Sequence, residues 1–312
     1  MKLIDMHCDT ILCCIDTKGE IKLVKNNLCI DIQKLKKAGS IAQFFAMFVD
    51  LSKYKEPMDR CLSMIENFYY EIEENNTNIA FAGSIKDLER NRKAGKISAF
   101  LTVEEGGVLE GKLQNLISLY KKGVRLITLT WNYPNCIGYP NFQWEHKDKG
   151  LTSFGEEVVA EMNSLGMLID VSHLSDQGFY DVVRLSKKPF VASHSDARSV
   201  INHWRNLTDD MLKKLAEKGG VTGLNLEPEF LGDGGSVEAM VRHAIHMRNI
   251  AGIEAVAIGT DFDGTSPLTA IKNTGDMYVL CAALKKAGFR EGEIEKIMYK
   301  NTERVVRDVM NL

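Results

Sequence analysis

The chain has 312 residues, 45% of them hydrophobic, with a formal net charge of −3. That length and apolar content can bury the core of one large domain of roughly 250 residues with insertions, so residues 1–312 are expected to form a single domain. Lys and Arg are interspersed with Asp and Glu, which leaves no basic face to supply the phosphate attraction that dominates nucleic-acid binding.

The N-terminal MKLIDMHCDT enters a strand-like run at once, without the charged and apolar regions of an export signal. No stretch approaches the roughly 18 to 20 apolar residues of a membrane span, and the final RVVRDVMNL carries no lipid-anchor pattern. Seven cysteines, odd in number and without CxxC spacing, argue against a disulfide framework and against a cysteine-based zinc site. A cytoplasmic protein without a membrane partner is expected.

In chain order, strand-like runs fall at about 3–7, 42–49, 99–104, 126–131, 168–173, 190–194, 221–226 and 255–261. Amphipathic stretches long enough to cross back over a sheet lie between most of them, at 58–74, 112–122, 154–165, 176–186, 209–218, 237–251 and 275–287. Thr208 reads as an N-cap, and Gly123, Gly166, Gly219 and Gly252 follow helices. Eight strands in strict alternation with helices, joined by short loops, predict an α/β fold of the (β/α)8 barrel type. The last helices, through Leu312, are expected on its outside. The polar, aromatic segment 132–149 should overhang the catalytic rim.

Five residues that suit metal ions stand at the ends of four of these runs: His7 and Asp9 in LIDMHCD, Glu104 in AFLTVEEGG, His173 in LIDVSH and His194 in FVASHS. All parallel barrel strands deliver their last residues to one rim, the catalytic one. Residues i and i+2 of a strand face the same side, so His7 and Asp9 can chelate one ion while Cys8 points away. Imidazole and carboxylate suit a first-row divalent metal such as zinc. A carboxylate at the third strand can bridge two ions, and histidines on the fifth and sixth can complete the second site. Such paired ions generate hydroxide near neutral pH and clamp a tetrahedral intermediate, which points to hydrolysis.

The other histidines read differently. His203, two residues before Arg205, suits the pocket and the surface about equally; His243 and His246, spaced i, i+3 on a helix, read as solvent-facing. His146, in the 132–149 loop, is a candidate to enter the site from above, and Tyr133, Tyr139, Phe142 and Trp144 could form an apolar lid.

At GLTSFGEEVVAEMNSLGMLIDVSHLSD, PFVASHSDARSV, WRNLTDDMLKKL and GTDFDG, within a match from about Asp5 to Gly264, the chain resembles the membrane dipeptidase family of zinc peptidases, M19. The resemblance implies that His7 and Asp9 hold one zinc ion, that His173 and His194 hold the other, and that Glu104 bridges them. It implies further that Arg205 binds the substrate carboxylate and that Asp261 lies beside the metals as a proton acceptor or orienter. Where the family reads VEGG this chain has Val103-Glu104-Glu105-Gly106-Gly107, and gapless register with LYKKGVRLITLT favours Glu104 over Glu105. Where the family has a histidine that contacts the tetrahedral intermediate, this chain has Trp131. The function expected is a dizinc dipeptidase in which a metal-bridging hydroxide attacks the peptide carbonyl. Its partner is a dipeptide, modified ones and those with a C-terminal D-residue included, and a homodimer is allowed. The alternatives are another metal-dependent amide or lactone hydrolase on the same barrel and a catalytically silent binding barrel.

Overall fold

Eight parallel strands follow one another around a barrel: β1 (Leu3–Asp5), β2 (Ser40–Phe48), β4 (Ile97–Glu104), β5 (Val124–Thr128), β6 (Leu168–Asp170), β7 (Val191–Ala192), β8 (Val221–Leu224) and β9 (Val256–Ile258). A further strand, β3 (Ile79–Phe81), lies off this path and pairs only with β4. The computed structural model describes residues 2–17, 19–266 and 268–310, so Leu312 lies outside the described residues. The ring closes through the Met6 N–H, which donates to the Ile258 carbonyl at 3.0 Å, and through a parallel bridge between Cys8 and Phe262.

The strands are largely buried on both faces because the barrel interior covers one side and helices the other. All eight residues of β4 are buried, and Phe44 stacks on Phe100 across the β2–β4 pair at 4.5 Å. That pair keeps register from Ala42 opposite Ser98 to Phe48 opposite Glu104, which carries Glu104 to the C-terminal rim. Helices expected from periodicity appear at Pro57–Glu74, Leu113–Lys121, Ser153–Leu165, Asp176–Leu185, Asp209–Glu217, Val237–Ala251 and Tyr278–Lys286. Thr208 caps its helix by accepting from the Met211 N–H. Near the C-terminus, Asn301 donates to the carbonyls of Ile253 and Val256, tying the helix Asn301–Val309 to the start of β9.

Three expectations need correction. Apart from β4, which ends where predicted, and β2, which ends one residue early, the strands stop two or three residues short of the predicted ends, because the backbone leaves the ladder once it reaches the rim. The short runs Ile79–Phe81, Thr10–Asp16, Ile32–Ala38 and Ile85–Lys93 were not expected as elements; each is too short for its periodicity to stand out. His243 is not solvent-facing but fully buried, with Nδ1 accepting from the Ala197 N–H and Nε2 3.2 Å from the Leu231 carbonyl. His246 is part-buried and pairs with Asp209 at 2.7 Å.

Candidate metal centre and substrate pocket

The five strand-end residues converge on one point of the C-terminal rim. Nε2 of His7 lies 3.2 Å from Glu104 Oε2, 3.8 Å from Asp9 Oδ2 and 3.8 Å from Asp261 Oδ1. The other oxygen of Glu104, Oε1, lies 3.2 Å from His173 Nε2 and 3.6 Å from His194 Nε2. Three overlapping sets of donor atoms result, each lying within 4.8 Å of one another: His7, Asp9 and Glu104; Glu104, His173 and His194; His7, His194 and Asp261.

Residues 7 to 9 are past the end of β1, yet the bridge at Cys8 and the Asp9 N–H, which donates to the Phe262 carbonyl at 2.9 Å, carry the pairing to the rim, where His7 and Asp9 both reach the cluster. The Cys8 thiol turns away to the Phe44 carbonyl at 3.5 Å. Glu104 and Glu105 are separated by the backbone itself. Glu105 takes a φ of 91°, strained for a residue with a side chain, and its carboxylate turns from the cluster to accept from the N–H groups of Gly107 and Trp131 and from the Asn135 amide. His173 (φ 67°) and Asp261 (φ 61°) are left-handed too. Gly264 completes the turn after β9, since a Cβ there would stand 2.1 Å from Asp9 Oδ2 and 2.7 Å from Asp261 Oδ1.

The donor set fits divalent metal. Both ring nitrogens of His7 and Oδ1 of Asp9 are buried without any hydrogen-bond partner, and such groups are costly unless something coordinates them. Burial pushes the Asp9 carboxyl up to about 7, against the pull of His7. Burial would also raise Glu104, but the charge of His7 and the close approach of the His173, His194 and His7 rings hold it well below the usual carboxylate range. Burial and the Arg205 charge push His173 down to about 4. Burial, followed by the charge of His7, holds His194 well below its ordinary value, so both of these imidazoles are neutral, the ligating form.

Beside the cluster opens a pocket of about 330 Å³ lined by Phe48, Trp131, Asn132, Arg205, Glu227 and Phe230, among others. Trp131 meets Phe48 edge-on at 4.8 Å and forms an apolar wall. Arg205 is buried; it donates to Ser195 Oγ (3.2 Å) and the His194 carbonyl (3.0 Å), lies over the Phe230 ring, and leaves Nε unpartnered. His203 does not line this pocket. Its Nδ1 accepts from the Arg205 N–H and its ring packs on Trp204 and Phe230. His146 does not enter either, since it packs on Tyr139, while Phe142 and Trp144 lie against Trp204. A larger groove of about 750 Å³ around Lys2, Lys285 and Tyr299 has none of the clustered ligands.

Sequence reading passed over the residues that hold these groups. Asn132 Oδ1 stands 3.1 Å from His173 Nδ1, and Asn225 donates to Asp261 Oδ2 at 3.1 Å and to the His194 carbonyl. Their only signal was a polar side chain directly after an apolar run.

Known proteins share the sequence family and the fold of this chain. The family model for membrane dipeptidases (peptidase family M19) matches residues 1–312. An uncharacterised protein in the pqqA 5′ region of Klebsiella pneumoniae is 31% identical over 238 residues, 72% of this chain and 87% of that protein. An uncharacterised dipeptidase of Schizosaccharomyces pombe is 29% identical over 97% of this chain and 79% of its own length. Two crystal structures are similar throughout. A dipeptidase described as an M19 metallopeptidase has a TM-score of 0.94 at 25% identity, covering 100% of this chain and 99% of its own. A metallopeptidase from Rhodobacter sphaeroides, liganded with a phosphinate mimic of the dipeptide L-Ala-D-Ala, has a TM-score of 0.92 at 25% identity, covering 99% of each chain. With the family's model spanning every residue, the chain belongs to the membrane dipeptidase family of metallopeptidases, M19.

Proposed function

We propose that the protein is a two-zinc dipeptidase acting on dipeptides with a free C-terminal carboxylate, D-residues at that position included. One observation carries the reading: a single pocket holds both the ligand cluster and Arg205, a buried guanidinium with no ion-pair partner among the described residues. A buried cation whose direct hydrogen-bond partners are all neutral is costly, so the site suits an anionic group that arrives beside it. The phosphinate dipeptide mimic in the Rhodobacter relative supports a substrate of this size and a D-residue at its C-terminal end.

In this reading His7 and Asp9 hold one zinc ion, His173 and His194 the other, and Glu104 reaches both. A bound pair would supply Lewis-acid polarisation of the peptide carbonyl and a water-derived nucleophile near neutral pH. Arg205 receives the substrate carboxylate, its fork held by Ser195 and the His194 carbonyl. Asp261 Oδ1 faces the cluster and is the group that takes up the proton of the attacking water and returns it to the leaving amine nitrogen. Burial raises this carboxyl above its ordinary value, which suits it to both steps. Trp131 and Phe48 line the substrate side chain's wall and exclude water. Cys8, Cys13, Cys14, Cys29, Cys61 and Cys136 carry free thiols, which supports a reducing, cytoplasmic setting, and no helix among the described residues is long and apolar enough to cross a membrane.

Trp131 also favours a second reading, an amide hydrolase for acyl amino acids, because it sets an apolar wall where the family has a histidine. Metal content by mass spectrometry, combined with hydrolysis of L,L and L,D dipeptides and of acyl amino acids, separates the two. Close to two zinc equivalents with dipeptide cleavage is expected; cleavage of acyl amino acids alone overturns the dipeptidase reading.

A further inference from the structure

We propose that Asp170 and Ser193 are positioning residues that set the tautomer of His194, so that its Nε2 meets the metal site with a bare lone pair. Asp170, the last residue of β6, is fully buried, and its carboxylate faces four donors. Oδ1 accepts from the backbone N–H groups of Ser172 (3.0 Å) and Ser193 (2.8 Å). Oδ2 accepts from Thr128 Oγ1 and from Ser193 Oγ, both at 2.6 Å.

Ser193 Oγ also lies 2.7 Å from His194 Nδ1, and the hydroxyl has one hydrogen to give. A carboxylate oxygen can only accept, so that hydrogen points to Asp170, and Ser193 turns a lone pair toward the imidazole. The ring hydrogen therefore sits on Nδ1. In a neutral imidazole this leaves Nε2 bare, 3.1 Å from His173 Nε2 and 3.6 Å from Glu104 Oε1. Ser172 Oγ fits the same scheme, accepting from the His194 N–H at 3.1 Å and free to donate to Ser193 Oγ at 3.3 Å. Groups that orient a ligating histidine typically change metal affinity by about 10- to 100-fold when removed.

The inference rests on His194 being a metal ligand, and the experiment separates the two claims. In Asp170→Asn the amide oxygen must occupy the place of Oδ1, because two backbone N–H groups point there, which puts the amide N–H₂ against Ser193 and Thr128. The serine hydrogen then turns to its nearest acceptor, His194 Nδ1, and the ring hydrogen moves to Nε2, where it blocks the ligand. Zinc affinity of the full-length protein, measured by competition with a chromogenic chelator, should fall about 10- to 100-fold. Adding Ser193→Ala should raise it again, since nothing then donates to Nδ1. A purely structural role predicts the opposite, with the double variant the weaker binder. In chelator-stripped, ¹⁵N-histidine-labelled wild type, NMR should find His194 protonated at Nδ1. A proton on Nε2 in the wild type, unchanged affinity in Asp170→Asn, or a double variant no tighter than the single one overturns the proposal. His194→Ala binding zinc as the wild type does would instead overturn the assignment of His194 as a ligand.

Discussion

Nε2 of His173 and Nε2 of His194 lie 3.1 Å apart, and both approach one oxygen, Oε1 of Glu104, at 3.2 and 3.6 Å. Neutral imidazoles directing lone pairs at one another and at a carboxylate repel unless a cation lies among them.

Purified protein should therefore carry close to two zinc equivalents, and His194→Ala should lose at least one, as read by metal analysis. Loading should also release protons. Burial opposes a charge on His7, yet Glu104 and Asp9 hold its pKa well above the ordinary value, and burial brings Asp9 up to about 7. Both must be deprotonated to ligate, so zinc affinity should fall as pH drops below about 7. Calorimetric heats at pH 7 should vary with the ionisation enthalpy of the buffer; identical heats in phosphate and Tris would contradict this.

Glu104→Gln should lower kcat/KM by more than about 100-fold and reduce metal content, whereas Glu105→Gln should keep both metals and stay within about tenfold of the wild type. Glu105 binds the chain at Gly107 and Trp131 and does not face the cluster. The reverse ranking in parallel assays would move the bridging role to Glu105.

Arg205→Ala should lower kcat/KM on free dipeptides by about one to three orders of magnitude, from the loss of charge-assisted hydrogen bonds of roughly 1.5 to 3 kcal/mol each. Amidated dipeptides should lose a similar factor on the wild type, and the variant should scarcely distinguish the two. Trp131→His should raise kcat on simple dipeptides. A loss of activity would mean that the indole against Phe48 shapes the pocket for another substrate.

Stability should fall on acidification in a way that depends on His243. Burial lowers its pKa to about 4, so between pH 6.5 and 4 the unfolded chain takes up a proton that the folded one refuses. Its contribution is intact above pH 6.5 and lost as pH falls through that window, at up to about 1.4 kcal/mol per pH unit. His243→Gln should flatten the dependence of Tm on pH there by about one proton. His173, pushed down to about 4 by burial, adds a slope of the same sign that remains. An unchanged slope would mean that His243 is accessible.

Apolar runs broken by helical periodicity were enough to find the eight barrel strands, and the polar residues closing those runs pointed to His7, Asp9, Glu104, His173 and His194, which the fold brings together because a parallel barrel must bring its strand ends to one rim. Which way a side chain turns beyond the strand was not legible. Glu104 and Glu105 are adjacent and chemically identical, and only the left-handed turn at Glu105 separates them. His243 read as exposed because helical spacing says nothing of what packs against a face; the chain at Ala197 and Leu231 covers it. Asp170 looked like one more polar residue in LIDVSH until β7 brought Ser193 within 2.6 Å of it. Local runs decide which residues reach the rim, since burial of each strand is a property of its own sequence. Contacts between residues distant in the chain decide which atoms face the site, since each depends on a neighbour that no local pattern encodes.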